Sequence, residues 1–459
     1  MTKTINIHSK TLQDLEFDTV LKQTAAYCIT TLGKNAVLAI EPFASREKLQ
    51  QELAYVHEYV SSFDNDNRIP NHGFEDISDA IKLLGIENTF LEIPALRKIA
   101  TLSSNTNILL KFFKKFEEYY PCLYKETSTI TYTDAIIVRI DQIIDRFGEV
   151  KNDASDSLQI IRKAIQNLQG KINSSFAGAL ASYQGSGYLD EIRESVVENR
   201  RVLAVKAMYR RKVKGAILGS SKTGSIVFIE PEATQQYHRE LNNLRYEEKE
   251  EVTRILKDLT NFIRDFVPLL EEYQQFLTQI DCIYAKAKYA NSINAILPKI
   301  SKNRILFLKE AYHPILFLTN KAKGEKTYPQ TISLSNESRI VVISGPNAGG
   351  KSITLKTVGL LQVMLQSGML VPVHERSEMC LFDRIISDIG DNQSIENHLS
   401  TYSYRLKQMN YFLKKCNENT LFLIDEFGTG SDPELGGALA ETFLEVFYER
   451  GAFGLFYGY

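Results

Sequence analysis

The sequence predicts a mixed fold: an all-α region carrying a small β-containing insertion, followed by an α/β domain on a parallel sheet. Three observations predict it. Apolar residues recur at helical spacing over much of residues 1 to about 300. Residues 185–230 break that period with glycines and short β-rich runs. From about residue 303, strand-like and helix-like runs alternate, the order of a parallel α/β sheet. The expected segments are 1–184 and 231–302 for the two parts of the helical region, 185–230 for the insertion and 303–459 for the α/β domain. The length, 459 residues, suits about three domains at roughly 150 residues each.

In the helical region, Leu158, Ile161, Ile165, Leu168 and Ile172 form one stripe at spacings of three and four. A second stripe begins after Pro231, a residue tolerated in a first helical turn, and runs through Val252, Ile255, Leu259, Phe262 and Phe266 to Ile280. Pro268 should kink or break it. Between His238 and Arg254 charge dominates, as in a helix that stands away from a core beside one neighbour, although an ordinary bundle helix fits too. Between the two helices, Val202–Val205, Ala216–Leu218 and Ser225–Ile229 read as strands of an insertion at the tip of a helical hairpin.

Composition excludes several classes. At 44% apolar and 24% charged residues the chain is an ordinary globular one, not collagen, coiled-coil fibre or wholesale disorder. Lys plus Arg number 54 and Asp plus Glu 56, so a bulk polycation is excluded while a local basic patch is not. The five cysteines are widely spaced without a C-x-x-C, which argues for a reducing interior and small core residues. With no apolar leader and no run near the ~18–20 residues of a membrane span, a cytoplasmic protein with no membrane partner is expected.

The α/β domain carries the chemistry. The apolar run Ile340–Ile343 leads into Gly345, Pro346, Asn347, Ala348, Gly349, Gly350, Lys351 and Ser352, and a helical stripe from Ile353 follows. Strand, G-x-x-x-x-G-K-S, helix is the setting of a phosphate-binding loop. Its glycines let backbone N–H groups converge on phosphates at a helix N-terminus. Lys351 supplies charge to the β- and γ-phosphates of ATP, and Ser352 a hydroxyl for Mg2+. A second strand, Leu421–Ile424, ends in Asp425 and Glu426. Asp425 suits a Mg2+ carboxylate and Glu426 the general base for an attacking water, although two acids after a core strand also suit helix capping.

These strings carry a resemblance. Gly345–Val373, Asp391–Leu406 and Leu421–Glu441 resemble the ATPase core of the DNA mismatch repair MutS family, whose ATPases are related to the ABC class. Lys10–Phe43 and Val202–Pro231 are similar to the MutS-two (endonuclease MutS-like) branch, which lacks the mismatch-reading domain, and no G-x-F-Y-E-type wedge occurs here. The resemblance implies a composite site in a homodimer joined through its ATPase domains, with Ser400 and Thr401 as trans signature residues reaching the partner's γ-phosphate. It implies that Asn347 assists the phosphates and that Gly430–Asp432 link the two sites; Tyr402 replaces the family's usual Phe. It also places 185–230 at the clamp position between lever helices. His313 matches a His-Pro element before the loop, with Tyr312 where Arg is frequent; core packing of His313 is the alternative.

Residues 200–222 hold Arg200, Arg201, Lys206, Arg210, Arg211, Lys212, Lys214 and Lys222 with no acid, a local charge of +8. Such a cluster suits nucleic-acid phosphates through counterion release, with Tyr209 available to stack, although a solvated basic face carries the same charge. At the C-terminus the family runs into Thr-Thr-His-Tyr; aligned on Asp425, the His falls at Tyr459, and Tyr457 and Gly458 replace the threonines. The expectation is therefore an incomplete, C-terminally truncated ATPase domain without a nuclease module, with ATP binding expected more firmly than turnover. The function expected is a MutS-like ATPase that couples ATP and Mg2+ to clamping of mismatched or branched DNA in recombination control. The alternatives are a non-hydrolysing nucleic-acid-binding remnant and an ATPase of the same branch acting on ribosomal RNA.

Overall fold

The computed structural model describes residues 6–344, 350–389, 400–427 and 433–458. It is a mixed α/β structure whose chain forms two compact units: residues 1–76, 101–133 and 271–459 make one, and 77–100 with 134–270 make the other.

The second unit is built on a helical hairpin. Helix α1 (Asp156–Gln184) starts at Ser155, whose Oγ accepts from Leu158 N at 3.1 Å. The insertion follows as four antiparallel strands, β1 (Leu189–Val197), β2 (Arg200–Lys206), β3 (Gly215–Ser220) and β4 (Ile226–Pro231), in the order β1-β2-β4-β3. Helix α2 (Glu232–Arg264) returns antiparallel to α1. The direction follows from its pairs: Ser155 with Glu251, Arg162 with Glu248, and Ser175 with Ala233. Between them Leu168, Ile172 and Leu241 close a narrow apolar seam. The sheet has its own core of Leu189, Leu203, Val205, Val213, Val227 and Ile229, which Phe176 of α1 enters. Thus α1 orders the insertion by burying one ring in it.

The long stripe after Pro231 does break, but before Pro268. Helix α2 ends at Arg264, and α3 (Val267–Ser292) starts after two intervening residues. Pro268 then stands in the first turn of α3, where its missing N–H has no carbonyl to serve.

In the first unit a five-stranded parallel sheet holds β5 (Ile340–Ile343), β6 (Arg384–Asp388), β7 (Thr420–Phe427) and β8 (Phe453–Gly458). With the two-residue strand Asn6–Ile7 the order is Asn6–Ile7, β6, β7, β8, β5. Helix α4 (Lys351–Gln366) packs on β7 and β8. Its Gly359 permits this approach: a Cβ there would lie 2.4 Å from Leu423 and 2.6 Å from Leu15. Two buried amides fasten the other end of α4, Gln362 donating to Cys380 O at 2.9 Å and Gln366 to Phe382 O at 3.0 Å. Helices α5 (Ser400–Lys415) and α6 (Pro433–Glu449) complete a core of Phe412, Phe422, Phe447 and Phe456. A smaller sheet of four short strands lies between residues 299 and 379 of the same unit. All five cysteines are free. No helix among the described residues is long and apolar enough to cross a membrane.

Candidate nucleotide site and basic sheet

The first candidate site lies at the carboxyl ends of β5, β8 and β7. Of the predicted loop, Gly345, Pro346, Asn347, Ala348 and Gly349 lie outside the described residues. Gly350 is described, with φ of 75°, the left-handed region that glycine enters without strain. It caps α4, so Lys351 and Ser352 are the first helical residues of a 16-residue helix, whose first-turn N–H groups are not used by the helix itself. Lys351 is buried, Ser352 half-buried and Ile353 exposed. The Lys351 ammonium stands 3.9 Å from the centroid of the Tyr457 ring.

Asp425 and Glu426 are the sixth and seventh residues of β7. Asp425 is half-buried, yet its Oδ1 is enclosed and has no hydrogen-bond partner among the described residues. The Glu426 side chain is outside what the structure describes. A bulge falls at this point: Ile424 pairs with Phe456 and Phe427 with Gly458, so β7 spends one residue more than β8. Bulges re-aim side chains at the rims of sheets. The acid-bearing strand is not the neighbour of β5, because β8 lies between them. No local signal carries strand order.

Ser400 and Thr401 open α5; their side chains, and residues 428–432 with Gly430 and Asp432, lie outside the described set. His313 is buried ahead of the helix Pro314–Lys323, and its Nδ1 has no hydrogen-bond partner among the described residues. Burial pushes its pKa down to about 4, so it is neutral at pH 7. Tyr312 packs edge-on against Phe317 at 5.5 Å.

The second candidate site is the basic sheet of the other unit. Two of its eight cations are held by acids outside the basic segment. Arg200 pairs with Glu230 at 2.9 Å, and Glu230, 2% exposed, also meets His238 Nδ1 at 2.6 Å. Arg201 pairs with Glu194 at 2.6 Å and lies over the Phe176 ring at 4.4 Å. The other six, Lys206, Arg210, Arg211, Lys212, Lys214 and Lys222, are exposed. Lys206 and Lys222 share one end of the sheet, since Lys206 pairs with Ile226 just past the turn that carries Lys222. Lys214 stands at the other end, where Gly215 pairs with Pro231, and Arg210–Lys212 lie on the loop between. Tyr209 packs against Tyr188 with ring centroids 4.9 Å apart, so one side of its ring serves the sheet's own core. The acids Glu194 and Glu230 and the ring of Tyr457 are the contacts that a reading of residue types missed.

Comparison with known proteins agrees with this architecture. Residues 341–458 match the model of MutS domain V. The chain is 32% identical over 451 residues to proteins called endonuclease MutS2 from Caldicellulosiruptor bescii and from a Geobacillus species, in each case 97% of this chain and 56% of the relative. A putative endonuclease MutS2 of Bacillus subtilis is 32% identical over 449 residues, with the same coverage. The chain thus spans about half the length of the curated relatives it matches. By the match of its α/β domain and by similarity along nearly all its length, the chain belongs to the MutS family, in the MutS2 branch.

Proposed function

We propose that this chain is a MutS-type ATPase that binds ATP with Mg2+ and couples the nucleotide state to its grip on DNA. One observation carries it: a buried lysine heading α4 and an aspartate with an enclosed oxygen that no described residue partners lie at the carboxyl end of one parallel sheet. Open parallel sheets bind their ligands outside that end. The first turn of α4 offers N–H donors and the positive end of a helix dipole to a phosphate. Gly345–Gly350 would wrap the phosphates through backbone N–H groups, and Lys351 would meet the β- and γ-phosphates. The donor set fits Mg2+, which keeps several waters and takes one or two protein oxygens beside phosphate. Ser352 and Asp425 would hold it, and no closed protein cage is needed. When bound, Mg2+ would supply charge neutralisation to the phosphates. Glu426 is the general base that orients the attacking water.

A second copy of the chain would supply Ser400 and Thr401 to the γ-phosphate, which makes the active species a homodimer. In the other unit the six exposed cations would hold phosphates by releasing counterions, giving recognition of backbone and shape.

The test compares the chain with Lys351→Ala and Glu426→Gln. Lys351→Ala should weaken ATP binding by at least about tenfold, and Glu426→Gln should bind ATP while turning it over about a hundredfold more slowly. Equal turnover in all three rejects the enzyme. DNA affinity that ignores nucleotide favours the non-hydrolysing alternative. A preference for structured ribosomal RNA over branched DNA moves the partner to the ribosome.

A further inference from the structure

Strand β8 lies between the strand that leads into the phosphate loop and the strand that carries the acids. Its residue Tyr457 pairs with Ile343, the last residue of β5, and is one step from Gly458, which pairs with Phe427 beyond the Asp425–Glu426 bulge. The backbone of Tyr457 is therefore level with both halves of the site. Its side chain is 4% exposed, and the 7% exposed Lys351 ammonium stands over its ring at 3.9 Å. A desolvated ammonium on an aromatic face is a favourable contact, stronger than the same pair at the surface. A phosphate that engages Lys351 has to compete with this ring for the ammonium.

We propose that Tyr457 is an internal gate of the nucleotide site, its ring holding the Lys351 ammonium until the β- and γ-phosphates draw the lysine away. The gate rests on the nucleotide site proposed above. It predicts selectivity by phosphate number. Nucleoside di- and triphosphates work against the ring contact, whereas a monophosphate, which does not reach Lys351, is indifferent to it. It also predicts that phenylalanine preserves the gate, since the ring and not the hydroxyl faces the cation.

The experiment measures binding of fluorescent ATP, ADP and AMP analogues with Mg2+ to the unaltered chain, Tyr457→Phe, Tyr457→Leu and Lys351→Ala. Tyr457→Phe should bind within about twofold of the unaltered chain. Tyr457→Leu should bind ATP and ADP about 2- to 30-fold more tightly, the range of one such contact, with AMP unchanged. Equal or weaker ATP binding by a folded Tyr457→Leu chain, with binding lost in Lys351→Ala, leaves the site standing and overturns the gate. Undiminished binding by Lys351→Ala removes the nucleotide site and the gate with it. Should the leucine variant not fold, 3-fluorotyrosine at position 457 decides the question in an otherwise unaltered chain. Its 19F resonance must shift with ATP and not with AMP, and a resonance that ignores saturating ATP overturns the proposal.

Discussion

Asp281 on α3 and Asp425 on β7 belong to the same compact unit and face opposite surroundings. Asp281 is wholly buried, and both its oxygens are used. Ile29 N donates to Oδ1 at 2.9 Å, with His72 Nε2 3.0 Å from the same oxygen; Thr30 N and Oγ1 donate to Oδ2 at 2.8 and 2.6 Å. Asp425 is only half-buried, yet it leaves an enclosed oxygen without a partner among the described residues. A satisfied buried carboxylate ties three distant segments together. An unsatisfied one is costly to the fold and persists where a ligand completes it. On the function proposed above, this difference in satisfaction is what sets a structural acid apart from a ligand-binding one.

The largest effect expected is on stability. Asp281→Ala strands two backbone N–H groups, a hydroxyl and a histidine, and should cost about 3–5 kcal/mol in a denaturant titration. A loss under about 1 kcal/mol would break the comparison. The same site sets a pH dependence. Burial pushes the Asp281 carboxyl up, but the bonds from His72, Thr30 and Ile29 outweigh it and hold the pKa below the ordinary 3.8. Below about pH 4 the unfolded chain therefore binds a proton that the folded chain refuses. The contribution of Asp281 is complete at neutral pH and drains away as pH falls through the folded value. Asp281→Asn should flatten the acid limb of the stability profile.

Asp425→Asn should behave the other way. It removes no hydrogen bond seen among the described residues, so stability should move by less than about 1 kcal/mol. Mg2+-dependent ATP affinity should fall about tenfold or more, read by titrating the nucleotide with and without the metal. A large stability loss with unchanged affinity would make Asp425 a structural acid like Asp281.

Local chemistry is what a sequence displays, and these sites divide along that line. The strand, the glycine-rich loop, Lys351 and the helix stripe are contiguous, so the candidate loop and its strand–helix setting could be read from one window. The three and four spacing of Leu158 to Ile172 shows a helix for the same reason. Other features depend on partners far along the chain. Asp281 meets residues 251 and 209 positions away. Arg200 meets a glutamate 30 positions on, which lowers the count of open cations in the segment from eight to six once Arg201 is also paired. The insertion of β8 between β5 and β7 is a matter of topology, and with it the seat of Tyr457 on Lys351.

The same division applies to cations in the other unit. Arg200 is engaged by a buried acid, while Lys212 is exposed. Lys212→Ala should leave the fold unchanged and reduce the slope of log affinity against log salt for DNA by about 1. Arg200→Ala should do the reverse, leaving the slope unchanged and lowering stability, because Glu230 then stays buried without its arginine. Matching slope changes in the two variants would show that the paired arginine also reaches phosphate.

The smallest effect belongs to a third aspartate, on the surface. Asp18 accepts from Lys22 one helical turn on, at 2.8 Å, a distance no longer than most of those at Asp281. The Lys22 bond holds its pKa below the ordinary value, but the two side chains are 61% and 69% exposed. Water takes over most of what either group loses, so Asp18→Asn should cost under about 0.5 kcal/mol and nothing measurable in 1 M salt. Distance alone would rank Asp18 with Asp281; access to water ranks them about tenfold apart. A cost above about 2 kcal/mol at Asp18 would mean that pair geometry, rather than the solvent available to replace it, sets what these carboxylates contribute.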